Sequence, residues 1–274
     1  MCAMTTVADI RTLLDHWYPP RLAEEWDSPG LICGDPDDRV TTIACALEAT
    51  DSVVAATLEA GAQMLVVHHP LLMRGVTSVA ADTPKGRIVH RLIRSGVALM
   101  SAHTNADAAI GGVNDVLARL LGVTVSAPLE PSDAAEDPLE GIGRVGRLEH
   151  AVTLQQFTDL VADRLPTTVW GVRAAGDPQQ PVRTVALCSG AGDSLLGAAA
   201  RSGADVYLTS DLRHHPADES LRAGGPALVD TAHWASESPW CESVADRLAE
   251  ATGATTTVLP VRTDPWTIGV HPAA

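Results

Sequence analysis

The chain has 274 residues, 46% of them hydrophobic, which suffices for one large α/β domain or two smaller ones around an ample core. A formal charge of -15, with Lys85 the sole lysine among 19 basic residues, argues against a nucleic-acid phosphate surface and a polybasic membrane patch. Cys2, Cys33, Cys45, Cys188 and Cys241 are scattered with no C-x-x-C spacing, and no apolar run approaches ~18 residues, so a soluble protein of the reducing cytoplasm is expected, without disulfides, Cys-type zinc or a membrane span.

In chain order, TTIACALEA (41–49) reads as a buried strand. Asp51 then stands at an N-cap position before an amphipathic stretch ending at Gly61, and MLVV (64–67) is again a buried strand, completing a βαβ unit. His68 and His69 follow it. Neighbours on a strand point to opposite faces, so both imidazoles join one cluster only if the chain has left the strand, as Pro70 suggests. Thr83 and Pro84 predict the cap and first residue of a helix that stops at Gly96; VALMS (97–101) is a third strand, followed by AHTNAD with His103 and Asp107.

The stretch 126–141, rich in Pro, Asp, Glu and Ala, reads as a linker between halves. Thr153 predicts a helix through Leu165, and a strand is expected within 167–175. The earlier grammar then recurs. RTVALCSG (183–190) is a strand, Asp193-Ser194 opens an alanine-rich helix ending at Gly203, and DVYLTS (205–210) is a strand. At a constant offset Thr42, Ala44, Asp51, Ser52, Ala56, Gly61 and Ala62 match Thr184, Ala186, Asp193, Ser194, Ala198, Gly203 and Ala204. After PALVD (226–230) comes TAHWASE, with His233 and Glu237 in the turn before a helix capped by Ser238-Pro239 and ending near Gly253. The expectation is therefore an α/β fold of two similar βαβ-type lobes made by internal duplication, residues 1–126 and 127–274, with 127–141 as linker.

His68, His69, His103, Asp107, Asp211, His233 and Glu237 all follow predicted strands, at the carboxyl edge where open parallel sheets bind ligands. Mixed imidazole and carboxylate ligands suit Zn, Mn, Fe or Co. The set is too rich for one tetrahedral ion. Two ions roughly 3.5 to 4 Å apart can share a water and bring its pKa toward ~7 for attack on an ester, phosphate or amidine carbon.

Several of these segments together resemble a known family: AEEWDSPGLICGDP (23–36), VVHHPLL, SAHTNADAAIGGVNDVLARLLG (101–122), GIGRVGRL (141–148), YLTSDLRHH (207–215) and DTAHWASE (230–237). They look like the dinuclear-metal-centre proteins known as GTP cyclohydrolase I type II homologues, or the NIF-three-like family. The match runs in order along nearly the whole chain. It implies two divalent ions (Zn, Fe, Mn or Co) in the cleft between two α/β lobes, and a homohexamer built as a trimer of dimers. It also implies the ligands His68, His69, Asp107, His233 and Glu237, with His103 and Asp211 beside the metals or at the substrate. The chain departs from the family at Ser28, where Asn is common, at Ser210, where Gly is common, and at Ala232, where Gly is usual. None of these is a proposed ligand.

Other signals are weaker. GIGRVG (141–146) fits G-x-G-x-x-G but does not open a helix after a strand, so it reads as an irregular strand. SGAGD (189–193), with Gly190 and Gly192, lies between a strand and a helix N-terminus, where amides can hold an anion. His215, beside His214, is a further substrate-side candidate, against a solvated helix start. Trp26 and Trp234 read as packing residues, although Trp234 could shield one wall beside His233. The expected activity is hydrolysis of a nucleotide-like or phosphoester small molecule by a metal-activated water, with His103 as proton shuttle. The alternative is a metal-binding adaptor or regulatory ring without turnover.

Overall fold

The computed structural model describes residues 5–270; Cys2 lies outside them. The first helix, α1 (Val7–Trp17), opens on a capping box in which the Thr6 side chain accepts from the Asp9 amide and the Asp9 carboxylate accepts from the Thr6 amide. Next come β1 (Gly30–Cys33), β2 (Thr42–Ala46), α2 (Asp51–Glu59), β3 (Met64–Val67), α3 (Pro84–Arg94), β4 (Ala98–Ser101) and the short α4 (Thr104–Ala108). Strands β2, β3 and β4 pair in parallel, and β1 runs antiparallel outside β4. All four residues of β3 and of β4 are buried, as expected of parallel strands covered on both faces. Val53, Val54, Leu65, Leu92 and Leu99 form the core beneath the helices.

One cap differs from expectation. Thr50, not Asp51, is the N-cap of α2, its hydroxyl accepting from the Val53 amide at 3.2 Å. Asp51 is the first helical residue, where its charge suits the positive end of the helix and reaches Arg87 on α3 at 2.9 Å.

The second compact unit begins with α5 (Val113–Leu120), followed by β5 (Thr124–Ala127), β6 (Glu130–Pro131), β7 (Gly141–Ile142), β8 (Arg144–Thr153), α6 (Leu154–Arg164) and β9 (Val172–Ala175). It continues with β10 (Pro181–Ala191), a 3-10 turn (Asp193–Leu195), α7 (Leu196–Arg201), β11 (Val206–Ser210), α8 (His214–Arg222), β12 (Ala227–Thr231) and α9 (His233–Glu237). The sheet order is β5-β8-β10-β11-β12-β9, with β10, β11 and β12 parallel and the outer strands antiparallel.

The stretch expected to be a linker is instead an ordered part of this unit. β6 and β7 pair with each other, and the Glu140 carboxylate accepts from the amides of Glu136 (2.7 Å) and Asp137 (3.3 Å). Beside it, GIGRVG forms β7 and the start of β8. Its Arg144, 1% exposed, donates to both Asp115 oxygens and to the carbonyls of Gly141 and Gly143, so this segment serves a buried ion pair.

The chain closes with α10 (Pro239–Thr252) and β13 (Thr255–Val258). β13 pairs in parallel with the open edge of β2, and the α10 residue Trp240 donates to the Tyr18 hydroxyl at 3.1 Å. The units are therefore discontinuous. One comprises the described residues through Ala109 with Trp240–Thr263; the other comprises Ile110–Pro239 and the chain from Asp264. This differs from a division at 126/127 because β5 joins β8 and Leu117 and Leu121 pack into the second core, while β13 returns to the first sheet. The run α1-β1-β2-α2-β3-α3-β4-α4 has the same order as α6-β9-β10-α7-β11-α8-β12-α9. Their strands lie as β1-β4-β3-β2 and β9-β12-β11-β10, and both opening helices carry a capping box. No helix among the described residues is long and apolar enough to cross a membrane.

Candidate metal centre

In the first unit the chemistry gathers at the carboxyl ends of β3 and β4. The β3 strand stops at Val67, and the amides of His68 and His69 both donate to the Leu47 carbonyl, so the backbone bends and the two rings come together at 4.9 Å between centroids. His103, immediately before α4, brings a third ring 5.1 Å from that of His68 and 5.5 Å from that of His69. One ring nitrogen from each of the three lies within 4.8 Å of the other two.

Each ring has a carbonyl or carboxylate oxygen beside Nδ1. His68, with no exposed surface, has Nδ1 2.7 Å from the Ala102 carbonyl oxygen; a carbonyl only accepts, so Nδ1 carries the proton. In the neutral ring Nε2 is then an acceptor, and it faces Asp107 Oδ1 at 3.7 Å. Two acceptors facing each other at that distance suit a cation. His69 Nδ1 lies 3.2 Å from Glu48 Oε1, and the other Glu48 oxygen accepts from the Thr263 hydroxyl. His103 Nδ1 lies 3.0 Å from Asp27 Oδ1. Carbonyl and carboxylate partners of this kind fix tautomer and ring angle in metal-ligating histidines.

Nothing in the sequence analysis marks Asp27 or Glu48 as a site residue. Asp27 has a signal, its place in the WDSP segment; Glu48 falls within the stretch read as a strand, and only the structure, where β2 ends at Ala46, frees it for His69. Burial acts to raise the Asp27 carboxyl, but hydrogen bonds from His103 and Thr104 outweigh it and hold the group at about 2.

In the second unit His233 and Glu237 are not in a turn but on the five-residue helix α9, one helical turn apart, with Nε2 3.1 Å from Glu237 Oε1. The other nitrogen, Nδ1, lies 2.7 Å from Asp211 Oδ2. Partial burial works against a charged ring here, yet Glu237 first and Asp211 with it raise His233 to about 11. Two carboxylates around one imidazole call for positive charge, whether a proton or a cation.

Asp211 is the only described non-glycine residue with positive φ, 58°. The next amide, Leu212, donates to Asp230 Oδ1 at 3.0 Å, and Arg173 Nε reaches Asp230 Oδ2 at 2.7 Å, which secures the turn that aims Asp211 at His233. Gly190 (φ 65°) leaves space before the pair: a Cβ there would lie 2.2 Å from Glu237 Oε1 and 3.1 Å from His233 Nε2.

The remaining candidates behave differently. The Gly190 amide donates to Ser236 Oγ at 3.0 Å, and a Cβ at Gly192 would collide with Thr209 and Tyr207, so both glycines answer to close packing. His215 is exposed at the start of α8 with its ring against His214, 5.1 Å away. Trp234 packs on the second core, whereas Trp26 is 57% exposed. The Cys45 thiol is pushed up to about 12 by full burial, which makes it a core residue.

Donor chemistry on both units fits borderline divalent ions: three oriented imidazoles and a facing carboxylate on one, an imidazole between two carboxylates on the other. Comparison with known proteins agrees on ancestry. A Streptomyces coelicolor protein named GTP cyclohydrolase 1 type 2 homolog is 45% identical, with 98% of this chain and 96% of that one covered. A Mycobacterium tuberculosis protein of the same name is 39% identical over 96% of this chain and 97% of its own. Among solved structures, a hypothetical protein of Staphylococcus aureus superposes with a TM-score of 0.86 at 29% identity, covering 97% of this chain and 100% of that one. A sequence model of one family, Duf34/NIF3 (NGG1p interacting factor 3), matches residues 5–265, and the chain belongs to that family.

Proposed function

We propose that this protein binds two divalent metal ions through His68, His69, Asp107, His233 and Glu237 and hydrolyses a nucleotide-like or phosphoester substrate. The observation that carries the reading is the imidazole trio within 4.8 Å, with the acceptor nitrogen of His68 facing the Asp107 carboxylate. The name borne by the relatives supports the nucleotide-like class. Bound ions of this type lower the pKa of water and offset charge on a phosphoryl or amidine group.

The chain's own residues supply the rest. Ala102, Glu48 and Asp27 hold the three rings in orientation. His103, paired with Asp27, is placed to move a proton to or from the reacting group. We further infer that the matching element order of the two units reflects internal duplication, with residues 103 and 107 corresponding to 233 and 237. Among the described residues Cys33, Cys45, Cys188 and Cys241 form no disulfide, which suits a reducing cytoplasm, and six copies in a closed ring is the assembly we propose.

The test is to purify the protein without added metal, measure its metal content before and after reconstitution, and screen nucleotides and phosphoesters with and without chelator. Close to two ions per chain and chelator-sensitive turnover are expected. A content near zero after reconstitution refutes the reading, and two ions without turnover leave a metal-binding adaptor. Light scattering reads the assembly in the same preparation, where a stable monomer would refute the ring.

A further inference from the structure

Trp26 is out of place as a packing residue. More than half of its surface is open, although large aromatics usually bury theirs, and its ring meets the His103 ring in an edge arrangement at 5.9 Å. The segment bearing it is firmly tied to the site. The Glu24 amide donates to Thr104 Oγ1 at 3.0 Å, and the Asp27 carboxylate accepts from the Thr104 amide at 3.0 Å and from its hydroxyl at 2.5 Å. Asp27 also accepts from the Ser28 amide at 2.7 Å and pairs with His103. Hydrogen bonds on both sides of residue 26 therefore hold an exposed indole beside the imidazole cluster, at the first turn of the helix that carries Asp107.

We propose that Trp26 is a stacking platform for a planar heteroaromatic ring, and so that the substrate at this centre is a nucleotide or a like heterocycle rather than a simple phosphoester. This rests on the metal-centre reading above and selects within it. A rigid, solvent-facing indole gives a large contact area at little entropic cost, and every nucleobase has a π-face that it can cover. His103, held by the buried Asp27 of the same segment as Trp26, would then face a substrate whose ring Trp26 seats. Stacking of this kind tolerates base identity, so Trp26 sets the class of substrate and leaves the choice of base to other contacts.

The experiment uses the full-length, metal-loaded protein and isothermal titration with two kinds of probe: the nucleoside monophosphates AMP, GMP, CMP and UMP, and ribose 5-phosphate, which keeps sugar and phosphate but lacks the ring. The wild type should bind at least one nucleotide more tightly than ribose 5-phosphate. Trp26→Ala should weaken that nucleotide by about 5- to 100-fold and leave ribose 5-phosphate unchanged, while Trp26→Phe keeps most of the affinity. Equal loss for both probes, no loss for the nucleotide, or no nucleotide binding by the wild type overturns the proposal. So does dissociation of an oligomer by Trp26→Ala in light scattering, which would assign the indole to a contact between copies. Metal content measured on the same samples separates the two failures. A wild type that retains no metal refutes the metal centre itself, whereas a metal-loaded wild type with no preference for nucleotides refutes only the platform.

Discussion

Gly190 is the residue at which backbone and site chemistry are most tightly coupled. Its φ of 65° is open to glycine at little cost, and its missing side chain leaves the space that Glu237 Oε1 and His233 Nε2 face. Gly190→Ala should cost about 1–2 kcal/mol from the left-handed backbone alone and should also displace the carboxylate. Urea denaturation and metal analysis read the two effects, and a variant with wild-type stability and metal content would contradict both. Asp27 offers a pH test. Its folded pKa, about 2, lies below the ordinary aspartate value of 3.8, so its contribution to stability is complete above pH ~4 and is lost as pH falls toward 2. The shift corresponds to about 2 kcal/mol. Asp27→Asn should therefore be less stable than wild type near neutrality, with the gap closing between pH 4 and 2; a gap of constant size would mean that the carboxylate charge is not what stabilises. His68, His69 and His103 stand out as imidazoles beside strand ends, but their partners, the Ala102 carbonyl, Glu48 and Asp27, become partners only when the chain folds back on itself.

Elements were legible in proportion to how much periodicity and punctuation they carry. MLVV is a four-residue buried strand as expected, and Thr153 caps a helix through a full capping box with Gln156. The helix α9 is not legible in the sequence because five residues are too few for a 3.6-residue pattern to show, although its His-x-x-x-Glu spacing is one helical turn. The segment 126–141 misled for the opposite reason: its composition is that of a solvated linker, while its order comes from the Glu140 carboxylate and from Arg144 beyond it. The Arg144 guanidinium is buried on Asp115 with 2.6 and 3.2 Å contacts and satisfies two carbonyls, so Arg144→Ala leaves a carboxylate and two acceptors without their donor. Breaking a buried pair from one side costs about 3–5 kcal/mol. An unfolding free energy from urea denaturation lowered by less than about 1 kcal/mol would show that water replaces the arginine.

On the scale of the whole molecule, the question is whether both units serve metal. The imidazole trio and Asp107 belong to one unit, and His233, Glu237 and Asp211 to the other. If both carboxylates are ligands, Asp107→Asn and Glu237→Gln should each lower metal affinity by at least about tenfold, since each removes a full negative charge while almost preserving side-chain shape. Their effects without metal should differ. Asp107→Asn leaves the His68 hydrogen bond to Ala102 intact, whereas Glu237→Gln removes the main partner that raises His233, so the second variant should also be less stable in chelator. Asp51→Asn is the control: it changes charge at the start of α2, where Asp51 pairs with Arg87, and should leave metal content alone. Added metal should raise the melting temperature of the wild type, by a stabilisation of about 2.7 kcal/mol at a hundred times its dissociation constant, and should do so less for either carboxylate variant at the same concentration. Should Glu237→Gln retain the full complement of ions and the full thermal shift while Asp107→Asn loses both, then the second unit supplies no carboxylate ligand. In that case the correspondence between His103-x-x-x-Asp107 and His233-x-x-x-Glu237 is one of fold and not of chemistry.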